Sequence, residues 1–149
     1  IYKQGKEYYD KLQSVHNLIK DARKVKETVE LVSEISKIYS TNFNNMLSDK
    51  NFNINELEAI SNGYAKILIE SGNLLSDIKN IVSISNGFSM TDAERIAIID
   101  GIHNKMLEYR NLIRYFSKKS ISVSFIRSQQ QGDMQRVRNL YGDPSERYW

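Results

Sequence analysis

The stretch KQGKEYYDKLQSVHNLIKDARKVKETVELVSEISKIYSTNFNNML, residues 3–47, decides how this chain folds. It holds no proline, and its only glycine is Gly5. Apolar residues recur in steps of three and four: Tyr8, Leu12, Val15, Ile19, Ala22, Val25, Val29, Val32, Ile35, Tyr39, Phe43, Met46. That spacing makes one stripe of an amphipathic helix, close to a heptad repeat. Read as one continuous helix over about 3–48, it would be about 65 Å long. Such a helix cannot bury its stripe alone, so the rest of the chain is expected to lie along it.

Working outward, Ser48-Asp49-Lys50-Asn51 is turn chemistry. Asn53 stands three residues before Glu56, a capping box with asparagine in the Ser/Thr role. A second helix is expected over about 54–83, with a stripe of Leu57, Ile60, Tyr64, Ile67, Leu68, Ser71, Leu74, Leu75, Ile78 and Val82. Gly63 and Gly72 interrupt it at up to about 1 kcal/mol each, which points to close approach of another helix or to a weak bend. Ser85-Asn86-Gly87 breaks the helix, and Thr91-Asp92-Ala93-Glu94 caps the next.

That third helix carries Ile96, Ile99, Ile102, Met106, Tyr109, Leu112, Ile113 and Phe116, with Lys105, Arg110 and Arg114 on other faces. Residues 119–126 alternate serine with apolar side chains, a strand-like pattern. No second strand pattern exists to pair with it, so a helix over about 91–130 is favoured. Gln129-Gln-Gln-Gly-Asp133 is a break, and 134–141 forms a short helix closed by Gly142. The remaining tail is irregular. The expected fold is all-α: one domain over 1–149, an elongated up-down-up three-helix bundle with a short C-terminal helix. Helix two would leave the N-terminal end of helix one uncovered, to be met by helix three, the tail or a partner.

Composition bounds the function. With 149 residues, 40% apolar and 26% charged, the chain suits one domain with a real core. No run of eighteen apolar residues is present. The absence of cysteine removes disulfides and thiolate chemistry. Residues 105–149 carry nine Lys/Arg against four Asp/Glu, so the basic character lies in the last third. The chain begins at Ile1, which reads as a processed product or a fragment.

Sites for chemistry are scarce. His16 and His103 lack a histidine or carboxylate at i+4, and Asp100 three residues before His103 makes at most a helical pair. Glu27, Glu30 and Glu34 align, but with lysines between them as on a solvated helix face. No phosphate-binding glycine loop or nucleophile elbow occurs. The inventory argues against an enzyme and offers no catalytic, metal or cofactor-binding residue. The aromatics are more informative. Tyr8, Tyr39, Tyr64 and Tyr109 fall on stripes, as core residues with hydroxyls reaching solvent, whereas Tyr2 and Tyr9 are expected outside. Tyr141, Tyr148 and Trp149 lie among Arg136, Arg138 and Arg147, the residue types enriched at interaction hot spots. This segment either clamps the tail onto the bundle, contacts a partner protein, or, together with Arg127, binds single-stranded nucleic acid.

Several short segments carry a resemblance. They are Tyr8-Tyr9-Asp10, Val15-His16-Asn17-Leu18-Ile19, Met46-Leu47-Ser48-Asp49-Lys50-Asn51-Phe52, Glu70-Ser71-Gly72-Asn73, Ser89-Met90-Thr91-Asp92, Asn139-Leu140-Tyr141-Gly142 and Glu146-Arg147-Tyr148-Trp149. In that order the sequence resembles the TraI-like conjugal transfer proteins of Bacteroidetes-type conjugative transposons. These are similar to helical minor pilus components of the TrbJ/VirB class in type IV secretion. The resemblance implies a non-enzymatic structural or adhesive component of a conjugation apparatus, exported by a signal peptide to the periplasm or cell surface. Its partners would be other apparatus proteins, with self-association as a further option. A nucleic-acid accessory role for the basic third is the alternative.

Overall fold

The computed structural model describes residues 2–18, 23–83 and 92–145, with side chains for 3–11, 23–81 and 94–145. Five helices pack together: α1 (Tyr2–Leu18), α2 (Arg23–Leu47), α3 (Ile54–Ser83), α4 (Asp92–Gln131) and α5 (Met134–Tyr141). No strand occurs among the described residues.

The single long helix expected over 3–48 is instead two helices folded back on each other. In one straight helix Gly5 and Tyr39 would stand about 50 Å apart. Here a Cβ on Gly5 would touch the Tyr39 ring at 3.0 Å, and the Tyr8 hydroxyl donates to the Val32 carbonyl at 3.4 Å. The physical reason is the one that made a lone helix untenable: its stripe needs cover. Folding back gives α1 cover from α2, and α1 also lies along α3, with Gly72 beside Tyr8 and Lys11. The N-terminal end expected to be bare is therefore covered by the chain's own α2 and α3. The residues joining α1 to α2 lie outside the described ones.

Paired residues give the directions of the other helices. Glu34 meets Arg110 and Asp49 meets Ser124, so α4 runs alongside α2 in the same sense. Glu56 meets Arg127 and Tyr64 meets Ser117, so α4 runs against α3. Contacts join α1 to α2 and α3, and α4 to α2 and α3; α1 and α4 sit on opposite sides, without contact among the described residues. Four long helices, rather than three, thus surround one core.

The core follows the expected stripes. Val25, Val29, Val32, Ile35, Phe43 and Met46 of α2 are buried, as are Tyr64, Leu68, Leu75 and Ile78 of α3 and Ile99, Ile102, Met106, Ile113 and Ile121 of α4. Ile96 and Leu112, expected inside, are exposed. A row of rings crosses the middle: Tyr39 to Tyr64 at 5.3 Å and Tyr64 to Phe116 at 4.8 Å between centroids, both edge to face. A glycine stands at each end of the row. Gly5 lets α1 close on Tyr39, and at Gly63 any Cβ would fall onto the Phe116 ring. The close approach expected at Gly63 is present.

The stretch 119–126 is helical, and the serines at spacings of three, four and seven around it belong to a helical face. Ser117, Ile121, Ser124 and Ser128 share the inner face of α4 and are buried. α4 ends in a Schellman turn, with Gly132 at φ +74° and Asp133 N–H bonded to the Ser128 carbonyl at 3.1 Å. Gly142, at φ +85°, closes α5 through its N–H to the Arg138 carbonyl at 2.7 Å. The Asn53/Glu56 capping box forms reciprocally, at 2.9 and 3.2 Å. The Ser85–Gly87 break and the Thr91 cap lie outside the described residues.

Candidate functional site

Two places gather polar or aromatic side chains from distant parts of the chain. The first is the turn between α2 and α3. Asp49 is held by its own turn, its N–H on the Met46 carbonyl at 3.0 Å and its carbonyl accepting from Phe52 N–H at 3.2 Å. This aims the carboxylate inward, where its side chain is wholly buried. Oδ1 accepts from Asn51 N–H at 2.9 Å and from Arg136 Nη1 at 3.3 Å. Oδ2 accepts from the Ser124 hydroxyl and from the Tyr141 hydroxyl, the latter at 2.8 Å.

Burial by itself would push the Asp49 carboxyl up. The bonds from Ser124, Asn51, Tyr141 and Arg136 outweigh that and hold it below its ordinary value. A carboxylate offers about four acceptor directions, and all are taken. None is left for a substrate or a cation, so Asp49 acts as a fastener joining the α2–α3 turn, α4 and α5.

A second layer surrounds it. The Asn51 side-chain amide donates to the Ser128 hydroxyl at 2.8 Å and to Ser124 at 3.0 and 3.1 Å. Arg127 forks onto both oxygens of Glu56 at 3.0 and 2.6 Å and reaches the Asn51 carbonyl at 2.5 Å. That bond to the guanidinium is the chief reason the Glu56 carboxyl sits below its ordinary value. Arg136 also pairs with Asp133 at 3.0 Å.

The second place is an open groove of about 420 Å³ between α1 and α2, lined by Gly5, Lys6, Tyr9, Asp10, Ser36, Tyr39 and Ser40. Tyr9 stands at its edge, 61% exposed, while Tyr39 forms its floor. Gly5 lies against the Tyr39 ring, where a Cβ would touch it at 3.0 Å.

The sequence-selected residues divide accordingly. Tyr9 is exposed as expected and faces the groove. Tyr141 is buried, and Arg136 is engaged by Asp49 and Asp133, so both belong to the fastener. Arg138 is exposed. The side chains of Tyr2 and His16, and all of Arg147, Tyr148 and Trp149, lie outside the described residues. Tyr8 and Tyr64 are core residues, but their hydroxyls bond inside the protein instead of reaching solvent, to the Val32 carbonyl and to Ser117 Oγ at 2.6 Å respectively. The carboxylates expected on a solvated face are partly interhelical. Glu34 pairs with Arg110 and Arg114 at 3.2 and 3.6 Å, and Glu27 lies 3.6 Å from His103.

Asp49 itself was not singled out by sequence. The signal was present only as an aspartate two residues before Asn51 in a turn. Its distant partners, Ser124 and Tyr141, carry no local mark. Among the described residues no group of three or more His, Cys, Asp or Glu is placed to hold a metal ion. No helix there is long and apolar enough to cross a membrane. Compared with known proteins, the chain matches no family model, no curated sequence and no solved structure.

Proposed function

We propose that this protein is a non-enzymatic helical interaction module, acting through protein–protein contacts as a structural component of a conjugative DNA-transfer apparatus. The observation that carries the interaction role is the Tyr9–Tyr39 groove, an open aromatic-floored recess between α1 and α2. Tyrosine is enriched at protein contact sites, and Lys6 and Asp10 suit the polar rim of one. The apparatus itself comes from the resemblance of the sequence to TraI-like transfer proteins, which also places the chain in the periplasm or at the cell surface. Other apparatus proteins are its partners.

Two of the three described arginines behind the nucleic-acid reading are engaged within the chain, while Arg138 is exposed, and this balance favours protein contact. Arg127 and Arg136 spend their charge on Glu56, Asp133 and Asp49 inside the fold. A nucleic-acid site needs such cations free for phosphates.

Two measurements test this. In cells carrying the transfer element that encodes the chain, its removal should abolish transfer. Re-expression should restore transfer, and a Tyr9→Ala, Lys6→Glu variant should restore it poorly while keeping wild-type helicity. Transfer that survives removal of the chain would refute the apparatus role. Fluorescence anisotropy with labelled single-stranded DNA should show no binding at physiological salt, and firm binding there would favour the nucleic-acid reading instead.

A further inference from the structure

α4 carries apolar side chains on two sides. Its inner face fills the core. Its outer face exposes Ile98, Leu112, Tyr115 and Ile126, each 38–59% accessible. These side chains lie on one line. Positions 98, 105, 112, 119 and 126 are seven apart, and 101, 108, 115, 122 and 129 follow each by three. Four of these ten positions, spread over about 46 Å of helix, are apolar, and Gly101, Lys105, Glu108, Lys119, Ser122 and Gln129 hold the rest, so the track is a heptad-spaced one of mixed apolar and charged character. None of the other described helices covers these four side chains.

We propose that the outer face of α4 binds the same face of a second copy, antiparallel, with the two-fold axis passing between Leu112 and Tyr115. The residues of the track select this occupant and this register. About that axis Leu112 faces Tyr115 of the second copy, the central apolar layer. Glu108 faces Lys119 of the second copy, an opposite-charge pair occurring twice by symmetry. Ile126 faces Gly101 of the second copy, where a Cβ would meet nothing within 4 Å and an isoleucine finds room. Lys105 faces Ser122 of the second copy.

Alternatives fail on the same residues. A parallel pair sets Glu108 on Glu108, Lys105 on Lys105 and Lys119 on Lys119. Sliding the antiparallel pair by one heptad sets Glu108 against Leu112 or against Ile126. In the isolated chain Lys105 pairs with Glu108 at 3.1 Å and Lys119 lies 5.6 Å over the Tyr115 ring. Both contacts are exposed and cost little to exchange. The face is separate from the Tyr9 groove, so it stands whichever apparatus the protein serves.

Sedimentation equilibrium of the intact chain over a range of micromolar concentrations tests the proposal. The expected result is a reversible shift from 17.3 kDa towards twice that mass. Leu112→Glu should leave a monomer with unchanged circular dichroism, since the residue is exposed. Glu108→Lys and Lys119→Glu should each weaken association about tenfold, because each creates two like-charge contacts. Combining them should restore it. A monomer at every concentration, or association unaffected by Leu112→Glu, would overturn the proposal. Failure of the double reversal to restore what both single changes removed would overturn the register.

Discussion

Replacing Asp49 with alanine removes the acceptor of four hydrogen bonds at once. Two of the four donors, the Ser124 and Tyr141 hydroxyls, can rotate their protons to other oxygens. The other two cannot. The Asn51 N–H is fixed by the turn, and Arg136 carries a permanent charge. Removing one partner of a buried ion pair costs about 3–5 kcal/mol. Arg136 is 27% exposed and can recover part of its hydration, which places the expected loss near the lower end, about 3 kcal/mol. With a urea slope of about 2 kcal/mol per molar, the unfolding midpoint followed by circular dichroism should fall by about 1.5 M. Asp49→Asn keeps an oxygen for Asn51 and Arg136 and asks only the hydroxyls to turn round, so it should cost about half as much. Tyr141→Phe should cost about 1–2 kcal/mol in the wild-type protein and almost nothing beside Asp49→Ala, where its partner is already gone. A loss below about 1 kcal/mol for Asp49→Ala, or equal costs of Tyr141→Phe in both backgrounds, would refute the fastener.

Acid should act through the same group. The Asp49 carboxyl is depressed in the folded protein below the ordinary value of an aspartate. Its stabilisation is therefore complete above that value and is lost as pH falls through the lower folded value. Urea midpoints should hold level from neutral pH down to about 4 and then drop, with a shallower drop in Asp49→Ala. The two α3 glycines should respond with opposite signs to alanine. Gly63→Ala gains about 1 kcal/mol of helix propensity but drives a methyl into Phe116, for a net loss of about 1 kcal/mol. Gly72→Ala meets Tyr8 and Lys11 at no less than 3.6 Å, an ordinary contact, and should raise the thermal midpoint by a few degrees. Ending the chain before Met134 removes Tyr141, Arg136 and the buried Val137 together, and should lower the thermal midpoint by about 10 °C or more.

Much of the fold can be read from periodicity, because burial of a stripe is a local demand on side-chain spacing. The apolar positions of α2 and α3, the Asn53 cap and the Gly132 and Gly142 stops are of this kind. The fold-back between α1 and α2 is not. The stripe continues in step from Tyr8 to Val25, so nothing in spacing tells one long helix from two that bury the same stripe against each other. The clue lay in Gly5, whose missing side chain matters only once Tyr39 is brought beside it. The second opacity is α4. Apolar residues of α4 fall on more than one side, so no single stripe describes it, and Leu112, three residues after Tyr109 and four before Phe116, was counted as core.

The polar fastener shows a further limit and ties it to function. Serine at 117, 124 and 128 has no hydrophobic signature, yet these residues occupy core positions, because Tyr64, Asp49 and Asn51 reach them from α3 and from the α2–α3 turn. Such a network is satisfied only in one arrangement of the turn, α4 and α5, so it fixes how α4 is rotated about its axis. That rotation decides what the helix shows to the outside. With Ser117, Ile121 and Ser124 turned inward, Leu112, Tyr115 and Ile126 must face out. Asp49 and the outer heptad-spaced track are thus two consequences of one constraint. A variant that loosens the fastener should weaken self-association even though no residue of the track has changed, and sedimentation of Asp49→Asn, while it is still folded, is the measurement that reads that coupling.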